Sequence, residues 1–135
     1  MNRETRNVEA EVRKQFERLD PETNRTIFIG FSGGLDSLAL LLALVRVAGD
    51  RRKLICLHAD HGHSSHSGDW AAHCERICNS LSVQLIVEKL EITARSNLES
   101  EFREKRYRFF KEVIKEAGVL FLGHHLNDQV ETFFM

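Results

Sequence analysis

Apolar residues fall at Val8, Val12, Phe16 and Leu19, three or four positions apart, and the pattern stops short of Pro21. That spacing predicts an amphipathic helix at the start of the chain. Thr26 to Phe31 (TIFIGF) is a short, nearly unbroken apolar and β-branched run and predicts a buried strand. From Leu35 to Ala48 the chain is apolar almost all round, so a helix there must be covered on most sides; Gly49 is suited to end it. Lys53 to His58 (KLICLH) predicts a second strand, followed by the polar loop ADHGHSSHSG. Asp69 then caps a predicted helix with Trp70, Cys74, Ile77, Cys78 and Leu81 on one stripe. Val83 to Val87 predicts a third strand. Ser96-x-x-Glu99 has the form of a capping box opening a long helix through Leu98, Phe102, Phe109, Val113 and Ile114 to Gly118. Val119 to Leu122 predicts a fourth strand, and Asn127 to Met135 the start of another helix.

Short apolar strands alternating with helices are the pattern of an α/β fold, an open parallel sheet with helices on both faces. In such sheets ligands bind beyond the carboxyl ends of the strands. Three segments rich in chemistry are expected on that rim: FSGGLDS (31–37), HADHGH (58–63) and GHHLNDQVE (123–131).

Length and composition narrow the picture little. The 135 residues suit one nucleotide-binding domain over 1–135, and 42% apolar with 29% charged residues is ordinary for a folded protein. No apolar run approaches the roughly 20 residues that span a bilayer, and the polar first residues lack a signal-peptide core, so no membrane partner is expected and the location is read as cytoplasmic. Three cysteines are too few, and odd in number, for a disulfide framework. A net charge of −1 gives no global attraction to nucleic acid. The one dense basic stretch, FREKRYRFFK (102–111), reads either as a solvated helix face or as a nucleic-acid contact.

The loop SGGLDS carries more. The backbone N–H groups of Gly33, Gly34 and Leu35, with the positive end of the following helix, form a cradle for phosphate oxygens, to which Ser32 and Ser37 add hydroxyls. The segment is not a Walker loop, which needs Gly-Lys followed by Ser or Thr, and it lacks the spacing of G-x-G-x-x-G. Asp36 beside phosphates is repulsive unless a cation such as Mg2+ lies between them. A tight strand-to-helix turn with a capping Asp is the alternative.

SGGLDS resembles the pyrophosphate-binding loop of the ATP pyrophosphatase (PP-loop) superfamily. His58-Ala59-Asp60-His61-Gly62 is similar to its H-x-(D/N)-H-G signature in the tRNA(Ile)-lysidine synthetase family. Glu99, Arg103, Arg106 and Tyr107 match E-x-x-x-R-x-x-R-Y of that family, and GHHLNDQVET (123–132) matches H-x-(D/N)-D-x-x-E-T. The resemblance covers residues 26–135 and implies a Rossmann-like sheet of order 3-2-1-4, with ATP and Mg2+ as cofactors. It implies two steps: the 2-oxo group of the wobble cytidine of an isoleucine tRNA attacks the α-phosphate of ATP, and the amine of L-lysine then displaces AMP. Carried over by position, Ser32, Gly33, Gly34, Leu35, Asp36, Ser37, His58 and His61 bind the nucleotide, with Asp36 on Mg2+. Arg103, Arg106, Asp128 and Glu131 bind substrate, and Asp36, His125, Asp128 and Glu131 serve catalysis. On a helix Asp128 and Glu131 share a face and could bracket an ammonium group. That amine, of ordinary pKa about 10.4, must lose a proton, and a carboxylate or the histidine at 124 or 125 is a candidate base. An acidic first turn on a helix dipole is the plainer reading of the two carboxylates.

Histidines 58, 61, 63 and 66 raise a zinc alternative, although the motif already accounts for His58 and His61. Cys74 and Cys78 lie on an apolar stripe and fit core packing; their C-x-x-x-C spacing departs from the cysteine pair of the superfamily's tRNA thiolases. The rival of another class is an ATP-binding fragment without catalysis, because the family's catalytic domain continues past ETFFM. With order 3-2-1-4 the strand VLFL is left as an apolar edge, so self-association through it is expected.

Overall fold

The computed structural model describes residues 3–19, 25–49, 52–62, 67–93, 95–115, 118–123 and 130–134. Its elements are α1 (Arg3–Glu17), β1 (Thr26–Gly30), α2 (Leu35–Ala48), β2 (Leu54–Asp60), α3 (Ser67–Ser80), β3 (Gln84–Lys89), α4 (Leu98–Ile114), β4 (Gly118–Gly123) and β5 (Val130–Phe134). They build one sheet of order β3-β2-β1-β4-β5. The first four strands are parallel in the predicted order 3-2-1-4, and β5 runs antiparallel to β4.

The apolar strands are explained by cover on both faces. Successive side chains of a strand point to opposite sides, and Ile27, Ile29 and Phe31 join Cys56, Val119 and Phe121 in one core with α1, α2 and α3. Phe28, Ile55, Leu57, Leu120 and Leu122 face the other way, into a second core with Phe109, Phe110 and Ile114 of α4. Helix α2 reads apolar all round because it is wedged between the sheet and α1, with Leu40, Leu41 and Leu44 fully buried. Burying a side chain of that size stabilises by about 1.5–3 kcal/mol.

The structure corrects several boundaries. The helix expected over 127–135 is not formed at 130–134, where VETFF is a strand. Val, Thr and Phe favour extended backbone, and the free edge of β4 offers a ladder to them, Leu120 facing Phe133 and Leu122 facing Glu131. The β4 edge expected to pair with another chain is therefore paired within this one. Ser96 does not cap α4: the N-cap is Asn97, in the left-handed region at φ 56°, and no side chain bonds there. Glu101 instead accepts from the Thr93 N–H at 3.0 Å and ties down the approach to the helix. Helix α4 ends at Ile114, not Gly118. A Cβ at Gly118 would stand 2.4 Å from Ile114 Cγ2 and 2.7 Å from Phe28 Cε2, so this glycine serves the close approach of α4 to the sheet. Helix α3 begins at Ser67, which puts Asp69 in its first turn rather than at its cap. Strand β2 continues through Asp60, two residues further than expected.

Candidate functional site

The order of the strands dictates where a site can open. From β1 the chain steps outward to β2 and β3, then returns to place β4 on the other side of β1; connections diverge at the carboxyl end of β1 and leave a crevice. A cleft of about 420 Å³ lies there, with Gly30, Phe31 and Ser32 from the end of β1 and Leu57, His58, Ala59 and His61 from the end of β2. Asp36 and Ser37 of α2, Trp70 of α3, Phe102 and Arg106 of α4 and Gly123 of β4 complete the wall.

The loop after β1 turns tightly. Gly33 has φ 86°, a left-handed conformation that glycine adopts without penalty. The serine hydroxyls are bonded inside the turn: the Gly33 N–H donates to Ser37 Oγ at 3.2 Å and the Gly34 N–H to Ser32 Oγ at 3.2 Å. Ser37 Oγ donates to the Gly34 carbonyl at 3.2 Å, so Ser32 Oγ is the donor in the 3.0 Å bond between the two hydroxyls. Gly34 is the N-cap of α2 without a side-chain cap bond, and Asp36 lies in its first turn. That turn packs against the end of β4, where a Cβ at Gly123 would be in ordinary contact, 3.4 Å from the Asp36 carbonyl.

On the second wall His58 is buried, and its Nδ1–H donates to the Phe31 carbonyl at 2.9 Å. A carbonyl can only accept, so in the neutral ring Nε2 carries the lone pair. Asp60 accepts the Gly62 N–H at 2.9 Å, an Asx turn that bends the chain at His61, and Asn would make the same bond. His61 meets the Phe102 ring edge-on at 5.6 Å. Arg106 lies over the Phe110 ring, its Cζ 5.0 Å from the centroid. Burial lowers its pKa, the neighbouring Tyr107 opposes this and Arg103 adds to it. The guanidinium stays a cation, and among the described residues no carboxylate pairs with it. The end of β1 makes room for it: a Cβ at Gly30 would stand 3.2 Å from Arg106 Nη2.

The cleft thus brings together Ser32, Asp36, Ser37, His58, His61 and Arg106, with Gly33, Gly34 and Leu35 in the turn between them. Arg103 stays outside, exposed, with its Cζ 6.0 Å from the Tyr107 ring centroid. His125 and Asp128 fall outside the described residues. Glu131 is a strand residue of β5, so helical spacing does not set its relation to Asp128. His63 and His66 also fall outside, and among the described residues no three His, Cys, Asp or Glu gather to hold a metal. Two of the five cations of the basic stretch are paired along α4, Lys105 with Glu101 at 3.0 Å and Arg108 with Glu104 at 3.3 Å. The sequence reading missed Gly30, Trp70 and Phe102 as parts of the cleft, because each reaches it only through tertiary packing, whereas Gly123 lies in a segment expected on the rim.

Cys56, Cys74 and Cys78 are buried in the core. A hydrogen bond from the Cys56 thiol raises its pKa and lowers that of Cys78. Burial, and then the charge of Cys78, push the Cys74 thiol up to about 11. No helix of the described residues is long and apolar enough to cross a membrane.

A family model described as a PP-loop domain matches residues 5–135. A tRNA(Ile)-lysidine synthase of Legionella pneumophila (strain Paris) is 38% identical over 122 residues, which are 90% of this chain and 26% of that protein. One from Histophilus somni (strain 2336) is 38% identical over 111 residues, 81% of this chain and 26% of that one. The chain spans about a quarter of the length of these relatives. Among solved structures, a U34-tRNA thiolase of Methanococcus maripaludis superposes with a TM-score of 0.75 at 19% identity, over 93% of this chain and 47% of that one. An NH3-dependent NAD synthetase of Campylobacter jejuni gives 0.60 at 13%, over 89% and 56%. At those identities the shared property is the fold.

Proposed function

The chain belongs to the PP-loop domain family, and from that premise we propose that it is the ATP-binding part of a tRNA(Ile)-lysidine synthetase, a ligase that forms a carbon–nitrogen bond in the cytoplasm. The observation that carries the reading is the pairing of a phosphate-type turn with a half-buried arginine across one cleft at the switch point of the sheet. Ser32, Gly33, Gly34, Leu35 and Ser37 hold the pyrophosphate part of ATP, the two glycine amides exchanging serine hydroxyls for phosphate oxygens. Arg106 contributes a partly desolvated positive charge to the opposite wall, where it strengthens any contact with an anion. His58, its tautomer held by the Phe31 carbonyl, offers a fixed acceptor, and His61 lies beside it on the nucleotide side.

The donor set fits Mg2+. Asp36 supplies a hard oxygen donor on the cleft wall and would hold a Mg2+ that arrives with the phosphates of ATP. When bound, it offsets the repulsion between the Asp36 carboxylate and the phosphates. In the proposed reaction the 2-oxo group of the wobble cytidine of an isoleucine tRNA attacks the α-phosphate of ATP, the bond to the β-phosphate breaks so that pyrophosphate leaves, and the adenylyl group stays on the cytidine oxygen. The amine of L-lysine then forms the carbon–nitrogen bond as AMP departs. Asp128 and Glu131 are the proposed partners of the lysine and His125 the proposed base, with Arg103 at the outer edge for tRNA phosphate. The thiolase alternative is the weaker reading, since the three free cysteines of this chain are buried in the core and Cys74 and Cys78 are spaced C-x-x-x-C.

The test is incubation with Mg·ATP, labelled lysine and isoleucine tRNA bearing a wobble cytidine. AMP formed in step with lysine-labelled tRNA supports a complete ligase in these residues. ATP binding with neither product supports the non-catalytic fragment, and no ATP binding overturns the reading.

A further inference from the structure

We infer that Trp70 is a positioning residue for the phosphate loop, holding the Ser32–Gly33 peptide unit so that the Gly33 N–H is aimed at the anion. The inference rests on the reading of this loop as a pyrophosphate site. Trp70 lies in the first turns of α3, and its indole N–H donates to the carbonyl oxygen of Ser32. A trans peptide unit is planar, with its C=O and N–H pointing in opposite directions. Fixing the Ser32 carbonyl therefore fixes the direction of the Gly33 N–H, which is found on Ser37 Oγ at 3.2 Å on the far side of the unit. Glycine has more backbone freedom than any other residue, so this unit needs an outside contact to keep one orientation.

The indole also covers Gly33 itself. A Cβ at that position would stand 3.3 Å from Trp70 Nε1 and 2.7 Å from Cys74 Sγ, so two residues one turn apart on α3 close over the same glycine. His73 stacks on the indole at 4.9 Å with 30° between the planes, which steadies the ring. Packing alone does not account for the residue: Trp70 is 48% exposed on the cleft wall, where a side chain kept for core burial would be inside.

Trp70 is the chain's single tryptophan, so its emission reports on the loop. Inorganic pyrophosphate with Mg2+ is titrated by calorimetry into the unaltered protein and into Trp70→Phe, at a temperature where circular dichroism shows both folded, and the emission of the unaltered protein is followed in parallel. Trp70→Phe is expected to bind pyrophosphate about 3- to 10-fold more weakly, the worth of one hydrogen bond. The emission of the unaltered protein is expected to change with the calorimetric midpoint. Equal affinity in Trp70→Phe, or unchanged emission at saturating pyrophosphate, overturns the inference and leaves the phosphate reading standing. No pyrophosphate binding by the unaltered protein overturns both. Should Trp70→Phe not fold, the emission measurement decides alone.

Discussion

Arg106 is a half-buried cation resting on Phe110 on the cleft wall, and desolvation holds its pKa below the ordinary guanidinium value. Desolvating a charge is costly unless a partner compensates it. Replacing it with an apolar side chain of similar length should therefore leave the fold as stable or more so. Arg106→Met is expected to keep or raise the melting temperature while Mg·ATP affinity falls about tenfold or more, the worth of a charge-assisted bond. Thermal unfolding and nucleotide titration on the same sample check both signs. Asp36 stands under a different expectation, because its contribution depends on the cation. Asp36→Ala should weaken ATP binding when Mg2+ is present and leave binding of metal-free ATP unchanged or improved, since the repulsive carboxylate is gone. Equal losses with and without Mg2+ would remove Asp36 from the metal role. Both residues were visible in the sequence by motif position, whereas the exposure of Arg103 was not: it depends on how α4 is turned about its own axis against the sheet.

At the scale of elements, one face of α3 serves two purposes along its length: Trp70 meets the loop, and Cys74 and Cys78, one and two turns further on, meet the core beneath it. The Cys74 thiol is pushed up to about 11, by burial first and by Cys78 second. Its folded pKa exceeds the unfolded value near 8.5, so this contribution to stability is full below that pH and is lost as pH rises toward 11. The loss amounts to on the order of 2 kcal/mol over that window. Urea unfolding at pH 8 and pH 10.5 should show a steeper decline in the unaltered chain than in Cys74→Ala; parallel declines would assign the alkaline sensitivity to other groups. The apolar stripe of α3 was legible because helical periodicity is local. That Cys74 also abuts Gly33 was not, since only the docking of α3 on β2 brings them together.

For the whole molecule, the sheet's closing strand decides what surface is left to other chains. The β4 ladder is satisfied by β5. A version ending after Gln129 exposes the β4 edge again and is expected to self-associate more than the full chain at equal concentration. Light scattering of the two preparations checks this, and equal molar masses would mean that β5 does not protect the edge. The order β3-β2-β1-β4 also fixes where the cleft opens, which is why residues from five separate stretches of the sequence line it.

By itself the sequence determined the parallel α/β class, the four apolar strands, the tight glycine turn SGGLDS and several of the residues that line the cleft. Each of these rests on short-range properties: apolar periodicity, glycine's freedom at positive φ, and the tendency of sheet ligands to lie past strand ends. Tertiary structure alone decided that Arg106 enters the cleft and Arg103 does not, that Trp70 holds the loop, that Gly30 and Gly118 serve close approach, and that residues 130–134 extend beside β4. In the last case local pattern and global context conflict. A short apolar segment is compatible with helix or strand, and the unpaired backbone of the neighbouring strand tips the balance through hydrogen bonds that no local window of sequence contains.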